Sequence, residues 1–203
     1  MMPAARESLL DAAHTALARR PWSAVRMVDV AATAGVSRQT LYNEFGSKEG
    51  LARALVRREA DGYLAGVERA LGAHTDPRER LTAAAEWTAS AARENALVRA
   101  MLTGCWNERL PSPTLSAVPS SSAVPAQRRA DGPLPSPGDF VAIVRDRAAA
   151  ALSPPGAPSG PDTAELAHTC ELVVRLALSC VAAPPGEGGL AELLRGVLPR
   201  QLV

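Results

Sequence analysis

Apolar residues recur along this chain at the threes and fours of a helix rather than at the twos of a strand. Between Ala4 and Arg20 the repeat is Leu9, Leu10, Ala13, Leu17 and Ala18, and Pro21 stops it. Two short helical patterns follow, flanking a break at Ala34-Gly35-Val36-Ser37. Met27, Val30, Ala31, Val36, Leu41 and Phe45 run across both as a small shared core. A much longer pattern opens at Ser47, carries Leu51, Ala54, Leu55, Ala60, Tyr63, Leu64, Val67 and Leu71, and ends near Gly72. Inside it, Gly62 and Gly66 mark a bend or a close approach by another helix, and close packing is the expectation.

Asp76-Pro77-Arg78-Glu79 reads as a strong helix start, with an N-cap acid, a proline at the first position and a glutamate completing a capping box. That helix is predicted to reach Asn95. Leu97 to Leu110 continues as another, interrupted by Gly104 and ended by Pro111. Over 111–137 the periodicity gives way to proline, serine and alanine, as in a mobile loop. Ser136, Pro137 and Asp139 restart a helix through Phe140, Ile143, Val144 and Ala148 to Leu152. After a proline-rich spacer, Asp162 and Glu165 cap a helix to about Ala183. Its apolar residues exceed one stripe, so it needs partners on two faces. Leu190, Leu193, Leu194, Val197 and Leu198 define a last amphipathic helix, and the predicted class is all-α.

Composition narrows the function. The 203 residues, 47% apolar, suffice for a small domain plus a larger one. A net charge of +1 gives no general attraction to nucleic acid, so any such affinity depends on where Arg6, Arg19, Arg20, Arg26, Arg38 and Lys48 are displayed. Cys105, Cys170 and Cys180 lie far apart and read as buried small hydrophobes in a reducing cytosol. His14, His74 and His168 have no ligand spacing, so neither metal nor cofactor is expected. Charges come too early for a signal peptide and no apolar run reaches the ~20 residues of a membrane span, which predicts a cytoplasmic protein. With no Gly-rich phosphate loop and no GxSxG, the chain does not read as an enzyme.

The candidate chemistry lies at the break between the two short helices. Gly35 gives the backbone freedom for a sharp turn, Ser37 can cap the second helix, and Ala31, Ala32 and Ala34 let the two approach. Arg38, Gln39, Thr40, Tyr42 and Asn43 then form a polar outer face. Arg and Gln suit bidentate bonds to base edges, Thr offers a methyl and a hydroxyl, and a helix fits the major groove. Tyr42 and Lys48, the latter at the start of the next helix behind its cap Ser47, suit phosphate.

From Ala31 to Leu51, AxxAGVSRQTLYNEFGSKEGL resembles, without a gap, the signature of the TetR family of transcriptional regulators. The resemblance implies a three-helix helix-turn-helix DNA-binding domain, here 1–46, followed by a helical ligand-binding and dimerisation domain, here 47–203. It also implies release from DNA when a small ligand binds. Two positions depart from the pattern. Arg26 stands where the family often has a Thr that caps the first helix of the motif, which predicts a looser start. Glu44 places an acid on the recognition helix, where it repels phosphate unless it turns inward or meets a base amine.

The expected partners are therefore a palindromic operator in double-stranded DNA, a second copy of the chain and a small-molecule effector. The last two helices are expected to form a four-helix dimer interface through Val174, Leu178, Val181, Leu190, Leu194 and Val197. Trp87, Met101, Cys105, Trp106 and Phe140 gather most of the large or polarizable side chains of an alanine-rich stretch and suit an apolar effector pocket, with His168 as a polar group. A ligand-independent DNA-binding repressor or architectural protein is the alternative reading.

Overall fold

The computed structural model describes residues 3–111, 134–153, 161–186 and 189–199. The described residues form α1 (Pro3–Arg19), a 3-10 turn (Trp22–Ala24), α2 (Met27–Thr33), α3 (Arg38–Phe45), α4 (Lys48–Gly72), α5 (Pro77–Glu94), α6 (Ala96–Thr103), α7 (Pro137–Leu152), α8 (Pro161–Ala182) and α9 (Gly189–Val197), and among them there is no strand. The loop expected over 111–137 falls almost wholly outside the described residues, as does the side chain of the expected cap Asp162. No described helix is long and apolar enough to cross a membrane.

The chain divides into two compact units, Met1–Glu59 with Trp106–Leu134, and Ala60–Cys105 with Pro135–Val203. In the first, Leu9, Leu10 and Ala13 of α1 are buried together with Trp22, Val25, Val30, Ala31, Leu41 and Phe45. These are largely the positions the helical period picks out, although Leu17 is only half-buried and Ala18 is exposed. The unit runs past residue 46 into α4, because Leu51, Ala52, Leu55 and Val56 are buried too. Arg58 adds to this. Its guanidinium reaches Asp11 at 2.7 Å and Glu7 at 3.8 Å on α1. The segment after α6 also joins the unit, where the Trp22 N–H donates to the Arg109 carbonyl at 2.8 Å and Leu110 is buried.

In the second unit, caps fix most helix ends. Asp76 accepts from the Arg78 N–H, but Glu79 lies 3.5 Å from His74 Nδ1, so the capping box expected here is not made. Asn95 ends α5 and starts α6, its side chain accepting from the Leu97 and Val98 N–H groups. Ser136 and Asp139 close a full capping box on α7. The helix expected through Leu110 stops instead at Thr103, because Gly104 adopts the left-handed conformation (φ 73°) that closes a helix C-terminus. Cys105 therefore lies beyond the helix and is exposed, contrary to the expectation of three buried thiols, while Cys170 and Cys180 are buried.

The core of this unit includes Tyr63, Val67, Leu81, Ala85, Leu97, Met101, Phe140, Val144, Cys170, Ala177 and Leu194. Phe140 meets Tyr63 edge-on at 6.2 Å. Thr88 donates to the Ala84 carbonyl, which leaves Tyr63 as donor in the 3.1 Å bond between the two hydroxyls. Every buried side-chain polar atom among the described residues has a partner. The close approach expected along α4 occurs at Gly66, where an added Cβ would lie 2.1 Å from Trp87 Cε2; Gly62 faces open space.

Candidate nucleic-acid interface

Gly35 has φ 68°, the backbone state that glycine adopts without strain, and it turns the chain between α2 and α3. Ser37 caps α3, accepting from the Thr40 N–H at 3.0 Å. Leu41 and Phe45 are buried on one side of α3, so Arg38, Gln39, Tyr42 and Asn43 are left exposed. Thr40 is half-buried and its hydroxyl lies 2.9 Å from that of Ser37, so this hydroxyl already serves the cap. Gln39 Nε2 donates to Asn43 Oδ1 at 2.8 Å one turn on. That bond leaves the Gln39 oxygen and the Asn43 amino group for a base edge.

A second glycine fixes the far end of α3. Gly46 (φ 70°) is its C-cap, and Ser47 then caps α4 by accepting from the Gly50 N–H at 3.1 Å. An added Cβ at Gly50 would lie 1.9 Å from the Phe45 carbonyl oxygen, so only glycine allows α4 to start this close to the end of α3. Lys48 is half-buried, with Nζ donating to the Ser23 carbonyl at 3.1 Å and lying 5.6 Å from the centre of the Trp22 ring. One of its three donors is spent there, and two are left for phosphate.

The positive charges are less free than their number suggests. Arg6 stacks over Phe45 at 4.8 Å and lies 3.8 Å from Glu44, whose side chain is only 12% exposed. Glu44 thus turns inward, the orientation that removes its repulsion for phosphate. Arg26 is the N-cap of α2 but makes no side-chain bond to the backbone. Its guanidinium instead grips Asp29 along one edge through two N–H groups, Nε to Oδ2 at 3.0 Å and Nη2 to Oδ1 at 2.9 Å, and Arg20 reaches the same carboxylate at 3.3 Å. The bond from Arg26 holds the Asp29 carboxyl below its ordinary range. Sequence reading missed Asp29. Its signal was there in the three-residue spacing from Arg26, which puts the pair on one helix face.

The six residues expected to line an effector pocket differ in burial and in the unit they belong to. Met101 and Phe140 are buried, Trp87 is half-buried against Gly66, Cys105 and His168 are exposed, and Trp106 belongs to the first unit. A separate open cleft of about 420 Å³ lies along α5 and α9, bordered by His74, Glu79, Glu86 and Arg195, and none of the six lines it. Of the residues expected at a dimer interface, Val174, Leu190 and Leu194 are buried within the protomer. Leu178 and Val181 are half-buried, and Val197 is 58% exposed. Leu172 and Leu193 are also exposed on the same two helices, α8 and α9. Among the described residues no group of His, Cys, Asp and Glu is placed to hold a metal.

Residues 9–55 match the family model described as bacterial regulatory proteins, tetR family. The chain is 49% identical over 69 residues to the HTH-type transcriptional regulator AlkX of Mycobacterium tuberculosis, a match covering 34% of this chain and 33% of that protein. It is 42% identical over 81 residues to the HTH-type transcriptional activator FasR of Mycolicibacterium smegmatis, covering 40% and 37%. The matches thus span about a third of these relatives' lengths, and both are named as regulators rather than enzymes. In fold, the chain is similar over 97% of both chains to a Rhodococcus sp. protein assigned to the TetR-family regulators, with a TM-score of 0.52 at 21% identity. The capped turn between α2 and α3 and the outward polar face of α3 thus lie within residues 9–55, the segment that matches the model of the tetR family of bacterial regulatory proteins.

Proposed function

We propose that the chain is a dimeric transcriptional regulator that binds a palindromic operator in double-stranded DNA and acts as a repressor released by a small apolar ligand. The observation that carries the DNA reading is α3 itself, locked at Ser37 and buried on its Leu41–Phe45 side. It leaves Arg38, Gln39, Tyr42 and Asn43 outward at the spacing of a major-groove reader. Thr40 follows the groove with its methyl, and Tyr42 and Lys48 hold phosphate. A second copy docks on α8 and α9, where Leu172, Leu193 and Val197 are exposed. The apolar ligand enters the second unit near Met101 and Phe140. Both are buried in a closed core, so the ligand must bind an opened state more tightly than the closed one.

That closed core also favours a second reading, in which the chain is a ligand-independent repressor. Genomic fragments selected by the full chain should share an inverted repeat, and apolar metabolites should then be screened for release of the selected fragment. Recovery of fragments with no common sequence overturns operator binding. A shared operator that no apolar compound releases overturns the effector and leaves the ligand-independent repressor.

A further inference from the structure

We propose that Asp29 is a positioning residue for DNA binding, holding the guanidinium groups of Arg20 and Arg26 as a pair that clamps a phosphate of the DNA backbone. The inference rests on the DNA-binding reading and deepens it. In a helix-turn-helix the first helix of the motif crosses the backbone while the second enters the groove, so the start of α2 is where phosphate is expected. Arg26 stands at that start and caps nothing. It spends two of its five N–H donors on Asp29 and Arg20 spends one, which leaves seven between them. The side chains of Arg26 and Arg20 are 72% and 44% exposed, that of Asp29 only 26%. The acid thus lies beneath the two cations, and the group carries a net charge of +1 toward solvent. A free arginine loses rotamer freedom when it grips a phosphate; one already fixed by a bidentate carboxylate loses less. Lys48, by contrast, is drawn toward Ser23 and Trp22.

The sign of one substitution decides the matter. If Asp29 acts only as a negative charge near DNA, Asp29→Asn strengthens binding; if it positions the arginines, the same change weakens it. Fluorescence anisotropy with the full chain, on a selected operator fragment and on a random-sequence duplex, should show Asp29→Asn weakening both by roughly fivefold, less than the outright loss of one charge-assisted contact. Arg26→Ala should flatten the log affinity against log salt slope by about 0.9, and Asp29→Asn added to it should cost less than it does in wild type, because only Arg20 is then left to be held. Asp29→Glu should restore part of the loss. Arg26→Lys keeps the charge but not the fork, so it should weaken both DNAs alike; it also serves if Asp29→Asn folds poorly, as followed by circular dichroism. Affinity equal to or tighter than wild type in folded Asp29→Asn and Arg26→Lys overturns the proposal. Failure of the wild type to bind either DNA overturns the DNA-binding reading instead.

Discussion

The indole Nε1–H of Trp87 on α5 donates to the backbone carbonyl of Tyr63 on α4 at 3.1 Å, with the ring lying over the bare Cα of Gly66. A methyl at Gly66 would occupy the ring's place, so Gly66→Ala should destabilise the chain by about 1–3 kcal/mol, beyond what the gain in helix propensity returns. Gly62, in the same helix, faces open space, and Gly62→Ala should stabilise by up to about 1 kcal/mol. Urea midpoints moving in opposite directions for the two variants would confirm the asymmetry. Equal shifts would contradict it.

Gly50→Ala should damage the first unit rather than the second. Its methyl would strike the Phe45 carbonyl oxygen, and the junction between α3 and α4 would have to open. DNA affinity should fall steeply while Trp87 stays as protected as in wild type. Retention of wild-type affinity by Gly50→Ala is the result that counts against this.

Acid should weaken the fold through identifiable carboxylates. Asp29 is held below its ordinary range by Arg26, Glu49 by its own N–H and Ser47, Asp139 by Ser136 and Glu171 by Arg175. A carboxyl lowered in the folded state contributes stability that is present above its unfolded value, and loses it as pH falls through the folded one. With ordinary values of 3.8 and 4.5 for these groups, Tm should be flat above about pH 5 and fall below it. Asp139→Asn should lower Tm at neutral pH and narrow the gap to wild type as pH falls.

Thiol labelling should separate the cysteines. Cys105 is exposed beyond the end of α6, whereas Cys170 is fully buried and its thiol is pushed up to about 11 by burial. Iodoacetamide at neutral pH should modify Cys105 quickly and reach Cys170 and Cys180 only on unfolding. Labelling of all three at one rate would mean that α8 opens readily.

The dimer proposal predicts a contrast within α9. Leu193 and Val197 are exposed, and Leu194 between them is fully buried. Leu193→Arg or Val197→Arg should give folded monomer by sedimentation, whereas Leu194→Arg should unfold the second unit, because it buries an unpaired charge. A Leu193→Arg protein that sediments as wild type does would exclude this face.

Helical periodicity made the elements legible, and the caps at Ser37, Ser136 and Asn95 follow from residue type and spacing. Gly104 was visible too, but periodicity past it hid a helix end that a left-handed glycine sets. What the sequence left hidden is how one-sided each helix is. The apolar residues of α8 exceed one stripe in the sequence, yet Cys170, Val173, Val174, Ala177 and Cys180 form the buried stripe and Leu172 stays outside. The outward residues of α3 could be read from their polarity. The pairings of Gln39 with Asn43 and of Glu44 with Arg6 are choices of partner, and composition does not encode them.

The bond from Trp22 to Arg109 makes the order of synthesis matter. When the ribosome has delivered α1 to α4, the turn at Trp22 still has an N–H without its acceptor, and Leu110 has not yet arrived to be buried. The first unit of this protein is therefore finished late, after α5 and α6 have emerged. A nascent chain stalled before Arg109 should hold its first helices loosely and become protease-resistant there only once that residue clears the exit tunnel.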